Sequence, residues 1–201
     1  MAKNYKQVYQ FRIFLRDVEP PVWRRIQVPE TYTFWDLHVA IQDSMGWLDC
    51  HLHEFDIRQP AFGKEVRIGI PDDDAMSGAE ILPGWEQHIS DYFNPDSRTA
   101  AYCYDFGDSW EHVITLEKIV SREKGKRYPV CLAGERACPP EDSGGPPGYM
   151  ELLEILADPD DEEHARRLEW VGEDFNPEGF SPDEVYFDNP DKRRLESMLF
   201  D

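Results

Sequence analysis

Tyr9, Phe11, Ile13 and Leu15 alternate with Gln10, Arg12 and Arg16, the period of two expected of a strand with one buried face. Phe14 is the one apolar residue on the outer side. Asp17-Val18-Glu19-Pro20-Pro21 breaks this run, and alternation resumes from Trp23 to Val28 with Arg24 on the face of Ile26 and Val28. The two runs predict a hairpin with a long turn. A hairpin wetted on one face needs a covering layer, and the next residues supply one. Thr33-Phe34-Trp35-Asp36 predicts a capping box, and Phe34, Leu37, Ile41 and Met45 fall on one helical face before Gly46, which can end the helix in a left-handed conformation. A third strand is expected from about His51 to Ile57. Strand, strand, helix, strand is the opening order of a β-grasp-like mixed sheet, which places the chain in the α+β class with one packed helix.

Residues 60–100 read mainly as an insertion, with the acidic run Asp72-Asp73-Asp74, a short strand at Val66 to Ile70 and one helical turn near Ile89 to Phe93. Tyr102 to Phe106 and Trp110 to Ile119 predict the clearest hairpin, joined through Gly107-Asp108-Ser109. A two-residue turn would set Asp105 opposite Trp110 and Cys103 opposite His112. A three-residue turn would instead set Phe106 opposite Trp110 and Tyr104 opposite His112. Tyr128 to Gly148 is rich in proline and glycine and reads as an irregular loop. Helices are then expected over Tyr149 to Ala157, Asp161 to Val171 and Asp191 to Phe200, with Leu195, Met198 and Leu199 in the last. Ser181-Pro182-Asp183-Glu184 has the form of a second capping box. The expected organisation is an α+β body over residues 1–150 and an acidic helical extension over 151–201, packed on the body.

The chain of 201 residues carries 21 basic and 41 acidic side chains, a formal charge of −20. That charge repels phosphate backbones and anionic membranes at long range, which excludes bulk coating of nucleic acid and leaves local contact open. Residues 151–201 hold 5 basic and 17 acidic groups, a net −12, the pattern of a solvated face. Without a signal-like stretch or an apolar run of membrane length, the expected location is cytoplasmic. Cys50, Cys103, Cys131 and Cys138 are accordingly expected as reduced thiols or ligands.

Three clusters could carry chemistry. His51 and His53, one residue apart on an expected strand, would leave the same face. Asp105, Asp108 and His112 crowd the hairpin, and Glu141 and Asp142 lie in the proline-rich loop. Together, His51, His53, Asp105, Asp108, His112, Glu141 and Asp142 form a candidate polar site, with His51, His53 and His112 as imidazole ligands. Mixed imidazole and carboxylate ligation suits zinc, manganese or iron. The competing structural roles are histidines hydrogen-bonded at the core's rim and aspartates capping turns. Cys131 and Cys138 fail the spacing of a zinc knuckle. Trp23, Arg24, Arg25, Trp47 and Trp110 are candidates for a groove binding an extended segment of a protein partner.

Pro21-Val22-Trp23-Arg24-Arg25, the helix from Leu37-His38 to Gly46-Trp47, His51-Leu52-His53-Glu54-Phe55, Tyr104 to His112, and Cys138 to Gly145 occur in an order that resembles the pRi-plasmid third-open-reading-frame family. Members are also labelled TnpR-like passenger proteins of an insertion sequence. The resemblance spans about residues 8–180 and implies an association with mobile elements, but brings no catalytic residue with it. Three functional readings follow: a non-enzymatic protein- or ligand-binding module, a metal-binding and hydrolytic domain, and an accessory protein of transposition or recombination. The last has least support in the residues, since no helix-turn-helix pattern or basic helix appears, and Ser109 sits among carboxylates that would oppose a phosphate.

Overall fold

The computed structural model describes residues 4–60, 62–71 and 80–197. The Asp72-Asp73-Asp74 run, Met198, Leu199 and the expected end of the last helix lie outside them. Eight strands form one sheet: β1 (Gln7–Leu15), β2 (Trp23–Pro29), β3 (His53–Gln59), β4 (Lys64–Gly69), β5 (Ile81–Pro83), β6 (Thr99–Tyr104), β7 (Trp110–Ser121) and β8 (Val130–Glu135). Their order is β5-β4-β3-β6-β7-β1-β2-β8. Every neighbouring pair is antiparallel except β4 and β5 at one edge. The helices are α1 (Phe34–Met45), α2 (Gly145–Ala157), α3 (His164–Val171) and α4 (Pro190–Ser197). The chain is thus α+β with a large mixed sheet and few helices.

Several expectations need correction. The β6–β7 hairpin enters between β1 and β3, but β7 runs antiparallel to β1, whereas a β-grasp sheet pairs its first and last strands in parallel. Residues 60–100 build sheet rather than a mere insertion: Ile68 is buried opposite Phe55. Gly69 lies so close to β3 that a Cβ would meet the His53 carbonyl at 2.7 Å. The proline-rich stretch contains β8, which pairs with β2. It also contains the start of α2, because Pro146 and Pro147 occupy the first helical turn, where a missing amide hydrogen is tolerated. Residues 182–184 make a 3-10 turn without the expected side-chain cap.

The predicted capping box is present: the Asp36 amide donates to Thr33 Oγ1 at 3.2 Å and the Thr33 amide to Asp36 Oδ2 at 3.0 Å. Gly46 ends α1 at φ 99°. The inner side chains of β1 pack with Phe34, Leu37 and Ile41 of α1 and with Tyr149 and Leu152 of α2 in one core. The C-terminal segment crosses the far side of α1, where Trp35 Nε1 donates to the Pro190 carbonyl at 2.9 Å and Arg193 pairs with Asp43 at 2.7 Å.

Two polar features are built into this interior. Arg24 is 1% exposed; its guanidinium donates to the carbonyls of Ser44, Trp23 and Glu135 at 2.8, 2.9 and 2.9 Å, and lies 3.8 Å from the Phe180 ring centre. The second is a layer of imidazoles. His38 and His53 stack with ring centres 3.4 Å apart. His38 bridges Tyr102 Oη at 2.8 Å and Asp49 at 2.7 Å, and His112 lies beside Tyr102.

Two outcomes follow. Gly134 pairs with Arg24 on β2, and a Cβ there would meet Phe180 at 2.5 Å and the Trp23 carbonyl at 2.7 Å. Gly134→Ala should therefore force the ring and strand apart and cost about 1–3 kcal/mol, read as a lower urea midpoint. Burial pulls His112 down from an ordinary 6.5 to about 4, and His53 falls well below its ordinary value, from burial first and the His38 charge second. Below pH 6.5 the unfolded chain takes up protons that the folded chain refuses. Stability is therefore fullest above pH 6.5 and falls as pH drops toward 4, by about 3 kcal/mol for His112 alone. Urea unfolding at several pH values should show this decline, and His112→Phe should flatten it.

Candidate metal centre

One end of the sheet is closed by three loops. The residues joining β6 to β7 are Asp105 to Ser109, a five-residue connection, so Tyr104 faces Trp110 and Tyr102 faces His112. Neither predicted register occurs. Asp105 and Ser109, at φ 56° and 54°, absorb the extra length in left-handed conformations, which aspartate tolerates better than most side chains. The result is an aromatic layer inside and a carboxylate at its edge.

The second loop leads from α1 into β3. Because β3 begins at His53, His51 precedes the strand and the two histidines do not share a face. His53 turns into the core, 3% exposed, whereas the His51 side chain is 29% exposed at the rim. The third loop carries Glu141 and Asp142 and is pinned by Trp47 Nε1, which donates to the Pro139 carbonyl at 3.0 Å.

These loops converge on His51 Nε2. Asp142 Oδ1 lies 3.2 Å from it, Asp105 Oδ2 3.6 Å and Glu141 Oε2 4.0 Å. The nitrogen is enclosed, yet makes no hydrogen bond among the described residues. Two carboxylates are fixed by hydrogen bonds, Asp105 through one oxygen and Glu141 through both, its Oε2 accepting from the Tyr104 hydroxyl at 3.3 Å. Asp105 Oδ1 accepts from the Gly107 amide at 2.8 Å. Glu141 Oε1 accepts from the Leu48 amide at 2.8 Å and the Tyr104 hydroxyl at 3.0 Å. Burial, then the neighbouring Glu141 charge, raises the Tyr104 phenol and keeps it a donor. Among the described residues no lysine or arginine forms an ion pair with Asp105, Glu141 or Asp142.

Four of the seven polar-site residues named from the sequence thus meet: His51, Asp105, Glu141 and Asp142. His53 and His112 belong to the buried layer, which removes them as companions of His51. Asp108 points elsewhere, its Oδ2 accepting the Gly144 amide at 3.0 Å and tying the hairpin to α2. The tryptophan groove does not form. Trp47, Trp110 and Arg24 are core residues, whereas Trp23 and Arg25 lie on the opposite sheet face beside Arg12, with Arg25 doubly bonded to Glu117.

Tyr104 and Cys50 were not expected at the centre. Tyr104 looks like one more aromatic of a hairpin, and nothing in the spacing announces that its hydroxyl reaches a loop 37 residues away. The Cys50 sulfur shares a possible ligand set with His51 and Glu141, but burial, its largest influence, raises the thiol and disfavours the thiolate.

The chain matches the family described as plasmid pRiA4b ORF-3-like protein over residues 7–184. It is 40% identical over 165 residues to the uncharacterized protein y4hQ of Sinorhizobium fredii (strain NBRC 101917 / NGR234), covering 82% of this chain and 81% of that one. The crystal structure of a protein of unknown function, MM3350 from Methanosarcina mazei Go1, is also similar, with a TM-score of 0.86 and 45% identity. That match covers 92% of this chain and all of the other. With nearly the whole chain matched, this protein belongs to the plasmid pRiA4b ORF-3-like family.

Proposed function

We propose that the protein is a divalent-metal-binding module, with His51, Asp105 and Asp142 as ligands and Glu141 poised beside them. The supporting observation is that one ligand atom from each of His51, Asp105 and Asp142 lies within 4.8 Å of the others. Ligands about 2.1 Å from a metal in a tetrahedral site are about 3.4 Å apart, and the His51 to Asp142 and Asp105 separations of 3.2 and 3.6 Å bracket that spacing. Among the described residues no lysine or arginine neutralises the three carboxylates around this imidazole, and a bound cation would. The left-handed Asp105 and Asp142, at φ 56° and 55°, add backbone strain of the kind that collects at functional sites. One nitrogen and several oxygens suit manganese, iron or zinc.

Asp142, with its side chain 74% exposed, leaves the outer side of the centre open. A bound cation there would keep a position for water or an external ligand, the arrangement hydrolytic sites require. The binding-module reading draws on the same place. Leu48, Leu52 and Phe106 are 81%, 51% and 52% exposed and flank the ligand loops in sequence, forming an apolar rim for a protein or ligand.

Calorimetric titration of chelator-treated protein with Mn²⁺ and Zn²⁺ tests the proposal. One equivalent should bind, and excess metal at about 100 times the dissociation constant should add about 2.7 kcal/mol of stability. His51→Ala and Asp105→Asn should each weaken binding at least about tenfold. Binding that survives both substitutions unchanged would remove this centre from consideration.

A further inference from the structure

The opposite sign of charge gathers elsewhere. Five of the six basic residues between positions 101 and 150 fall within Lys118 to Arg127, at the end of β7 and in its connection to β8. This connection lines an open groove of about 750 Å³ together with Tyr5, Tyr32 and the segment from Tyr186 into α4. A second hollow of about 460 Å³ shares Tyr5 and Arg122 with it and continues past Lys6 and Lys124.

Cations and tyrosines occur together along this track. Arg122 sits over the Tyr5 ring at 4.4 Å, Lys126 over Tyr128 at 5.4 Å, and the Tyr5 and Tyr128 rings meet edge to face at 6.2 Å. Tyr186 is 81% exposed on the other wall. Among the described residues Arg122, Lys124 and Arg127 form no ion pair. The acidic lining is partly committed: Asp36 closes the α1 cap and Asp188 pairs with Arg193 at 3.4 Å, leaving Asp191 in the first turn of α4. Lys126 is 3.7 Å from Glu123. Tyr128 also lines the groove through its ring, beneath Lys126.

We infer that this track binds a short stretch of single-stranded nucleic acid. Arg122, Lys124 and Arg127 would meet successive phosphates, while Tyr186 offers a face on which a base stacks. Flexible cations with aromatic platforms along a groove are the means by which proteins hold single strands without reading sequence. The two joined hollows favour a strand over a single nucleotide. The formal −20 charge limits the contact to a short segment, since strand beyond the groove is repelled.

The probe is a labelled oligothymidine of about eight nucleotides, followed by fluorescence polarisation on the full chain. Three phosphate contacts predict an affinity about 20-fold weaker on raising salt from about 50 to about 200 mM. Arg122→Glu with Arg127→Glu should lower affinity at least about tenfold, and Tyr186→Ser about threefold or more, with unchanged melting because these side chains are exposed. His51→Ala should leave binding intact, separating this site from the metal centre. Undetectable binding at low salt, or binding indifferent to the double charge reversal, would overturn the inference. So would competition by ATP or polyglutamate as effective as that by unlabelled oligothymidine.

Discussion

Arg24 is the constraint on which the rest of the architecture depends. A guanidinium cannot shed its charge, so its burial demands compensation from every side. Here carbonyls from three elements provide it: Trp23 beside it on β2, Ser44 near the end of α1 and Glu135 at the end of β8. The Ser44 carbonyl lies at the negative end of the α1 dipole, where a cation is favoured. Gly134 lets Phe180 reach the guanidinium from the C-terminal segment. One side chain thereby fixes the helix, the edge strand and the returning chain together.

The interior separates two uses of histidine. His38, His53 and His112 stand among aromatic rings on three different elements, where desolvation holds His53 and His112 neutral. His51 lies just outside this layer, where the sheet ends and the loops begin. A rigid layer beneath and mobile solvent above are the setting in which a constellation on loops can keep its geometry. Tyr104 joins the two regions, its ring packed against Trp47 and its hydroxyl on Glu141.

The net charge describes the protein poorly at the scale of its sites. Carboxylates gather at the hairpin end of the sheet, around His51, while cations gather at the end of β7 and beyond it. Coulomb forces between exposed groups fade over roughly 10 Å at moderate salt, so two surfaces of opposite character can coexist on one strongly acidic chain. The tyrosines and cations of the second surface are supplied by segments far apart in sequence, from Tyr5 to Lys192.

What was legible in the sequence were features with a local cause. Alternation placed β1 and β2 and put Arg24 on the inner face, and Thr33-x-x-Asp36 with Gly46 bounded α1, because side-chain period and end capping act within a few residues. The seven polar-site candidates, of which four, His51 among them, meet in space, were also identifiable by their chemistry. Register, strand partners and convergence were not, because each is decided by groups distant along the chain. The five-residue turn at Asp105 excluded both expected registers and set Tyr102 opposite His112 and Tyr104 opposite Trp110. The start of β3 at His53 split the His-x-His pair, and burial dispersed the tryptophans between core and outer sheet face. Residue pattern by itself determined β1, β2 and the ends of α1, and which side chains carry cation-ligating chemistry. Only the tertiary structure decided that His51 would meet Asp105 and Asp142 while His53 would not, since pairing across the sheet fixes which face each side chain occupies.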